Sequence, residues 1–534
     1  MDANGNSLMD TLKPFPADGD HIVADSTNPA IKLYGRRFYK DQTQVEYLAE
    51  FLLVFSSPKK NPAEAQERLG DYSFSLPSSG TSGYWTENHI ALKLFAFFPS
   101  SKLETRHTAH RDAYLEALDV LKDHVSGSAE KREETVRLLQ SLLGGFVGVG
   151  KNRTWATYTF LPVSKELLAS ELVWSHSTAL KDQIKSWSDC SSRKYFASDR
   201  HIFMARGGEL LFLQLANLFA DPNNLDIKAI LEAPSYHHLG CNHISDLAQK
   251  VENQLRELLV EAVGTLSKIA RLIEESLAHY RLDTQYSYSN LGWVPKASRI
   301  EALLFAQEIH NLCKATLSPL EKLDLLQTLC SLHVLRSLCF QACRMDNTEA
   351  ATPGFVGGYA WIPCDLEAEA RSPIRLMAQV SFNHIEALLY RVLRNKDLVD
   401  AGNSASQKEA DKNGFQIFRK IGKETGLVVP RKGGGQRFVL TPELLRFLVA
   451  ALVRPGERIR LTEFYRRAFA HYGLALGGES LAVGLDWCGT AGGKKSYAVA
   501  ADTDWIEEAL QQGGFLVELS DAVSIVYNPG ELKD

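Results

Sequence analysis

Apolar residues along this chain recur mostly at steps of three and four, the spacing that places them on one face of a helix. Thr43 and Glu46 stand at capping-box spacing ahead of Tyr47, Leu48, Phe51, Leu52 and Phe55, and a helix is expected from there to Ser56. Its apolar residues lie on nearly all sides, the pattern of a helix enclosed by a larger body. The stretches 86–98, 109–124, 130–143, 165–174 and 208–219 keep helical spacing. So do the long segments 247–280, 299–317 and 319–344, which together resemble a helical bundle. Period-two alternation is rarer; it marks a strand at 153–161 and a candidate strand at 72–76.

Near the C-terminus, caps, periodicity and turn chemistry agree on a small module. Thr441 is a good N-cap, Pro442 suits the first helical position, and Leu444, Leu445, Leu448 and Leu452 follow at helical spacing. Arg454 to Glu457 stops that helix and 458–461 alternates like a short strand. Thr462 reads as the cap of a second helix with Phe464, Ala468, Phe469 and Tyr472 on one face and Gly473 as its stop. Asp502 or Asp504 can cap a third, carrying Trp505, Ile506, Ala509 and Leu510. Residues 515–519 and 523–527 then read as a hairpin. Helix, strand, helix, helix, hairpin is the order of a winged helix. The Gly-rich stretch 476–496 reads as an insertion between its second and third helices.

The expected fold is therefore mostly α with minor β (α+β), in several domains. Residues 1–30 are polar and aperiodic and read as flexible, 31–225 as an α+β domain, 226–395 as a helical bundle domain and 415–534 as the winged-helix-like domain. Residues 396–414, rich in Gly, Ser and Asn, read as the linker before it. A chain of 534 residues is too long for one core.

Composition changes this picture little: 45% hydrophobic and 23% charged residues are ordinary for a soluble protein. Eight irregularly spaced cysteines make no disulfide framework, the first twenty residues lack the apolar core of a secretory signal, and no apolar run approaches a membrane span. A cytoplasmic protein without membrane contact is expected. Charge distribution says more than the net of −5. From Lys408 to Arg467 there are fourteen Lys/Arg and six Asp/Glu, whereas from Ala468 to Asp534 there are three and ten. That split can steer two different partners.

A winged helix usually presents its third helix to DNA, but here that helix carries Asp504, Glu507 and Glu508 and no basic residue, which repels phosphates. DNA contact would instead come from Arg431, Lys432 and Arg437 around Gly433–Gly435, with Arg466, Arg467, Lys494 and Lys495. The alternative is a module that docks a protein partner, with those residues as a solvated face. Arg200, His201 and Arg206 beside Gly207 and Gly208 form a candidate anion grip at a helix start, or an internal ion network. Residues 145–151 match the Gly and Lys spacing of a phosphate loop. However, Asn152 replaces the magnesium-binding hydroxyl and a helix precedes it, so a Gly-rich turn is the simpler reading. His237, His238, Cys241 and His243 are a dense set of zinc-type ligands without a clean second pair; Cys330, His333, Cys339 and Cys343 are the nearest. Trp155 and Trp293 read as base-stacking candidates or core anchors. No catalytic residue, metal or cofactor is assigned.

The segments 34–60 and 199–215 with the C-terminal module resemble large accessory proteins of bacterial phage-defence islands, of the methylation-associated or phosphorothioate-dependent kind. That resemblance implies a non-catalytic subunit that binds DNA or protein partners in a complex whose ATPase, methyltransferase or nuclease is separately encoded. Two other expectations stand beside it: a metal-dependent nuclease or hydrolase with its site in the N-terminal half, and a winged-helix transcriptional regulator.

Overall fold

The computed structural model describes residues 11–17, 27–35, 38, 42–62, 72–77, 82–87, 89–97, 108–144, 173–174, 185–190, 196–197, 207–261, 264–281, 286–346, 352–399, 404–489, 504–520 and 523–530. In chain order the elements run β1 (Pro14–Phe15), α1 (Pro29–Tyr34), α2 (Gln44–Ser56), β2 (Gly83–Glu87), α3 (Ile90–Phe97), α4 (Thr108–Asp123), α5 (Ala129–Gly144), β3 (Val173–Trp174), β4 (Phe196–Ala197), α6 (Gly207–Ala220), α7 (Leu225–Glu232), α8 (Ile244–Glu261), α9 (Gly264–Ser276), β5 (Tyr286–Asn290) and β6 (Val294–Pro295). They continue with α10 (Arg299–Lys314), α11 (Pro319–Met345), α12 (Pro373–Val392), α13 (Ser404–Lys412), α14 (Phe415–Glu424), β7 (Val428–Val429), β8 (Arg437–Phe438), α15 (Pro442–Leu452), β9 (Arg458–Arg460), α16 (Leu461–Tyr472), α17 (Gly478–Trp487), α18 (Asp504–Gln512), β10 (Leu516–Ser520) and β11 (Val523–Tyr527). The fold is mostly α with minor β. Contacts divide it into two compact units, one of Met1–Lys40, Leu210–Gln254 and Gly292–Asp534, the other of Asp41–Glu209 and Leu255–Leu291.

In the smaller unit α2 begins as its sequence requires: the Glu46 carboxylate accepts from Thr43 N at 2.9 Å and Thr43 Oγ1 at 3.0 Å. Every residue from Glu46 to Ser56 is buried. Glu50, fully enclosed, accepts from Gln42 Nε2 at 3.0 Å and from Gly208 N at 2.7 Å, while Gln42 Oε1 accepts from Gly207 N at 3.2 Å. A Cβ on Gly208 would stand 2.4 Å from the Tyr47 carbonyl, so close backbone approach demands glycine there. Two expectations are corrected in this unit. The helix expected from 86 is preceded by β2, which pairs antiparallel with β5 (Trp85 opposite Tyr288), and the helix itself starts at Ile90. Residues 72–77 form no strand; Phe74 is held by ring packing on Phe51 and Phe55. Of the expected helix 165–174, residues 173–174 are instead β3, paired with β4, and the rest lies outside the described residues, as does the strand expected at 153–161.

The larger unit is built around α11, which packs on α1, α10, α12 and α14. Ser318 and Glu321 form its capping box, with Glu321 accepting from Ser318 N at 3.1 Å and Oγ at 2.9 Å. By length and composition α11 could cross a membrane, but 83% of its apolar window is buried, as in the core helix of a soluble protein. At its middle sits a charge. Arg336 is fully buried and forks onto Glu308 of α10 at 2.7 and 2.8 Å, and it also donates to the His471 carbonyl at 3.0 Å. His333 Nδ1 accepts from Arg336, so the His333 Nε2–H donates to Gln214 Oε1 at 2.8 Å. His471 Nδ1 lies 2.7 Å from Glu308 Oε1, and His238 Nε2 lies 2.9 Å from His471 Nε2. Arg336 already neutralises Glu308, so a second buried cation is disfavoured. His471 is neutral, donating to Glu308 and accepting from His238. Burial opposes the Glu308 charge, but Arg336 and His471 outweigh it and keep its pKa below the usual carboxylate value. Burial, aided by the nearby Arg charges, pushes His238, His333 and His471 below the ordinary imidazole value.

The C-terminal elements follow the expected order with one addition. Thr441 Oγ1 accepts from Leu444 N at 3.3 Å and Pro442 opens α15. Gly473, at φ +68°, ends α16, and a Cβ there would meet the Phe355 ring at 2.7 Å. Phe464, Ala468 and Tyr472 are wholly buried. The strands form an antiparallel sheet in the order β10–β11–β9, with Val526 opposite Ile459. Thr462 does not cap α16: β9 runs straight into the helix, Arg460 occupies the cap position and Leu461 is already helical. Within the stretch 476–496, read as an insertion, Gly478–Trp487 form α17, with Leu481, Leu485 and Trp487 buried. Within 396–414, read as a linker, residues 404–412 are α13, packed on α1 and α14.

Replacing Arg336 with Met leaves Glu308 charged and unpaired, and should lower the unfolding free energy by about 3–5 kcal/mol in denaturant titration. The pH dependence has a definite sign. The folded-state pKa of His333 and of His471 is depressed, so unfolding takes up protons as pH falls below the ordinary value of 6.5. Stability should be full above that value and decline below it by up to about 1.4 kcal/mol per pH unit for each of these two buried rings. A flat profile between pH 7.5 and 5.5 would contradict the neutral assignment.

Candidate nucleic-acid interface

The stretch from Ser404 to Phe438 carries eight Lys/Arg and three Asp/Glu and forms two helices followed by a hairpin. Asn413 and Gly414 make the turn between α13 and α14. Asn413 Nδ2 donates to the Glu409 carbonyl at 2.9 Å, and a Cβ on Gly414 would strike Leu393 at 2.5 Å. α14 is strongly amphipathic: Ile417, Phe418, Ile421 and Gly422 are buried, while Gln416 is exposed and Arg419, Lys420 and Lys423 are half-buried. Phe418 and Phe438 join Trp361 and Phe382 in an aromatic cluster that holds α14 and β8 together.

β7 and β8 pair antiparallel, Val429 opposite Arg437, and the loop between them carries Arg431 and Lys432, both exposed. Gly433 and Gly435 adopt φ of +91° and +71°, and no atom lies within 4 Å of a Cβ placed on them. The glycines serve conformation there, and the cationic tip projects away from the body.

A groove of about 720 Å³ lies between α12 and α14, lined in part by Tyr390, Arg391, Arg394, Phe415 and Arg419. Arg394 stacks 3.3 Å over the Tyr390 ring, and Tyr390 lies 5.6 Å from Phe415 between centroids. Its guanidinium groups are balanced: Arg419 forks onto Glu386 at 2.7 and 2.9 Å, Arg394 meets Asp411 at 3.0 Å, and Arg391 Nε donates to Asp346 at 2.6 Å. The hydrogen bond to Glu386 raises the Arg419 pKa. This groove offers stacking surface with little spare charge.

The expected DNA-contacting residues separate into two groups. Arg431 and Lys432 stand in solvent. Arg437 is buried and donates to the Leu366 carbonyl at 3.1 Å. Arg467 is also buried, held by Glu457 at 2.7 Å, Glu463 at 2.9 Å and the Leu452 carbonyl at 2.9 Å. Arg466 is spent on Glu463 at 2.6 Å and the Ser235 carbonyl at 2.6 Å. For Arg437 and Arg467 the DNA-contact expectation is corrected: burial and internal acceptors remove them from any phosphate surface. Lys494 and Lys495 lie outside the described residues, as do Arg200, His201, Arg206, Trp155 and the Gly-rich stretch 145–151. The helix start beside the expected anion grip already uses Gly207 and Gly208 N–H on Gln42 and Glu50. Trp293 is fully buried, a core anchor.

The zinc-type cluster is dispersed. His237 contacts the Glu232 carbonyl, His238 faces His471, and Cys241 points to the His243 carbonyl. Among the described residues no three His, Cys, Asp or Glu side chains gather as a metal site. The sequence signal for this region is the adjacency of the amphipathic, basic α14 and the basic Gly-rich loop; the Gly, Ser and Asn content of 396–414 just before it reads as a linker and obscures it.

Comparison with protein-family models, with curated proteins and with solved structures gave no match.

Arg467→Met should cost about 3 kcal/mol of stability by stranding Glu457, since Glu463 keeps Arg466. Arg431→Glu should stay within about 0.5 kcal/mol of the parent in the same denaturant titration. Equal losses would mean that the hairpin tip is part of the packed body.

Proposed function

We propose that this chain is a non-catalytic, DNA-binding adaptor subunit of a multiprotein complex. Contact with DNA phosphates falls to α14 and the β7–β8 hairpin, in the manner of a helix-turn-helix followed by a wing. The observation that carries the reading is that cationic loop: Arg431 and Lys432 project from a glycine tip next to a helix on which Lys423 is half-exposed, while Lys420 pairs with Glu424 at 3.3 Å. The C-terminal module, read as a winged helix from its element order and its β10–β11–β9 sheet, takes the other role. Its third helix exposes Asp504 and Glu508, so it docks a protein, not a phosphate backbone. By the resemblance drawn from the sequence, the complex is a bacterial anti-phage defence assembly acting in the cytoplasm. Its ATPase, methyltransferase or nuclease would be a separate protein.

Fluorescence anisotropy with a duplex oligonucleotide over a series of salt concentrations tests this. Arg431→Glu with Lys432→Glu should weaken binding at every sequence and reduce the slope of log K against log salt by about 2. Asp504→Lys with Glu508→Lys should leave DNA affinity undiminished while abolishing recovery of partner proteins on the tagged chain. Unchanged DNA affinity in the hairpin variant would refute the assignment.

A further inference from the structure

Within the larger unit, the start of α8, the end of α10, the 315–317 loop, Lys322 of α11 and the Arg454–Pro455 turn surround a cleft of about 960 Å³. Four cations line it, Lys250, Lys314, Lys322 and Arg454, against one lining carboxylate, Asp246. Two of the four are anchored to backbone: Lys322 Nζ donates to the Cys313 carbonyl at 2.7 Å, and Arg454 donates to the carbonyls of His238 at 3.0 Å and Leu239 at 3.3 Å. Lys250 and Lys314 are exposed, and among the described residues no ion-pair partner lies against either.

Like charges gathered in a concavity repel one another, and each raises the free energy of the empty site. Here Asp246 offsets that repulsion only in part, and Glu457, outside the lining, attracts Arg454. His310 registers it: burial first, then Lys314, Lys250 and Arg454, push its pKa down to about 4. Its Nδ1–H faces Gln254 Oε1 at 3.0 Å, which leaves Nε2 as an acceptor without a proton. An arriving anion would offset the cations and let that nitrogen take up a proton.

We propose that this cleft binds a small, multiply charged phosphate compound, a polyphosphate or a sugar carrying more than one phosphate. Charge count requires several negative charges on the ligand. The volume exceeds that of a single phosphate and falls within the range of small-molecule sites. No Phe, Tyr or Trp is among the described lining residues, and the imidazoles of His243 and His310 are the only rings there, so the lining favours phosphate charge over a stacked base. Lys322 and Arg454 are fixed in advance by their carbonyls and position the ligand; Lys250 and Lys314 close on it. This site is separate from the proposed DNA surface and draws on no residue of it.

Calorimetry of the full chain with inorganic tripolyphosphate at low salt is the test, with the duplex oligonucleotide as a second arm. Saturable binding and a raised melting temperature are expected for the parent. Lys250→Gln with Lys314→Gln, both on the surface, should weaken tripolyphosphate at least about tenfold, a loss of about 1.4 kcal/mol, and leave duplex affinity unchanged. Tripolyphosphate should also shift the His310 imidazole resonances. Three outcomes overturn the proposal: no binding at millimolar tripolyphosphate, equal binding by the double variant, or a parallel loss of duplex affinity in it. The last would make the cleft part of the DNA surface.

Discussion

The larger unit depends on one buried ion pair. Arg336 sits at the middle of a 27-residue helix whose neighbours are Leu, Val and Cys, where an unpaired guanidinium could not be tolerated. Glu308 supplies the countercharge from α10, His333 accepts from the same helix, and the His471 carbonyl accepts from the end of α16. The pair therefore holds its partners to one arrangement: only one register of α10 and α16 against α11 satisfies every donor. Burial of the pair is weak evidence for stability by itself, because removing both charges can be neutral. What it secures is uniqueness, since a helix rich in Leu can slide against other Leu-rich surfaces and a forked hydrogen bond cannot.

The same logic sorts the basic block. Charge counting along the sequence makes all its Lys and Arg alike. The fold distinguishes them by whether an acceptor waits nearby. Arg437, Arg466 and Arg467 find carbonyls or carboxylates within the unit, and exposed Arg446 finds Glu321 at 2.7 Å. Arg431 and Lys432, on a loop whose glycines touch nothing, meet only solvent. Burial or a carboxylate partner marks a cation as structural; an exposed cation without a carboxylate partner is available to a ligand.

Much of this architecture could be read from the chain because its signals were local. Caps at Thr43 and Thr441 and the stop at Gly473 lie within a few residues of the helices they bound. The failures have physical causes. β2 was hidden because Gly83–Glu87 is too short to display alternation and finds its partner about two hundred residues later in β5. α17 and α13 were missed because glycine and serine content reads as loop, while tertiary packing of Leu481, Leu485 and Ala410 outweighs propensity. Arg467 looked solvated because Glu457 reaches it only once the turn before β9 is folded, although Glu463 lies one helical turn away within α16.

The cleft was the least legible feature, and the reason is instructive. Its cations come from positions 250, 314, 322 and 454, each unremarkable in its own segment. Lysine near the end of a helix such as Lys314 is ordinary, since it complements the helix dipole. An arginine after a helix stop such as Arg454 is ordinary for the same reason. What is unusual is their convergence with one carboxylate between them, and convergence is a property of the fold alone. A structural role accounts for Lys322 and Arg454, which cap carbonyls. It does not account for Lys250, nor for setting Lys314 in a cleft that already holds three other cations, where their charges repel. A feature that costs stability and is not repaid by an internal contact is where an external ligand has the most to contribute.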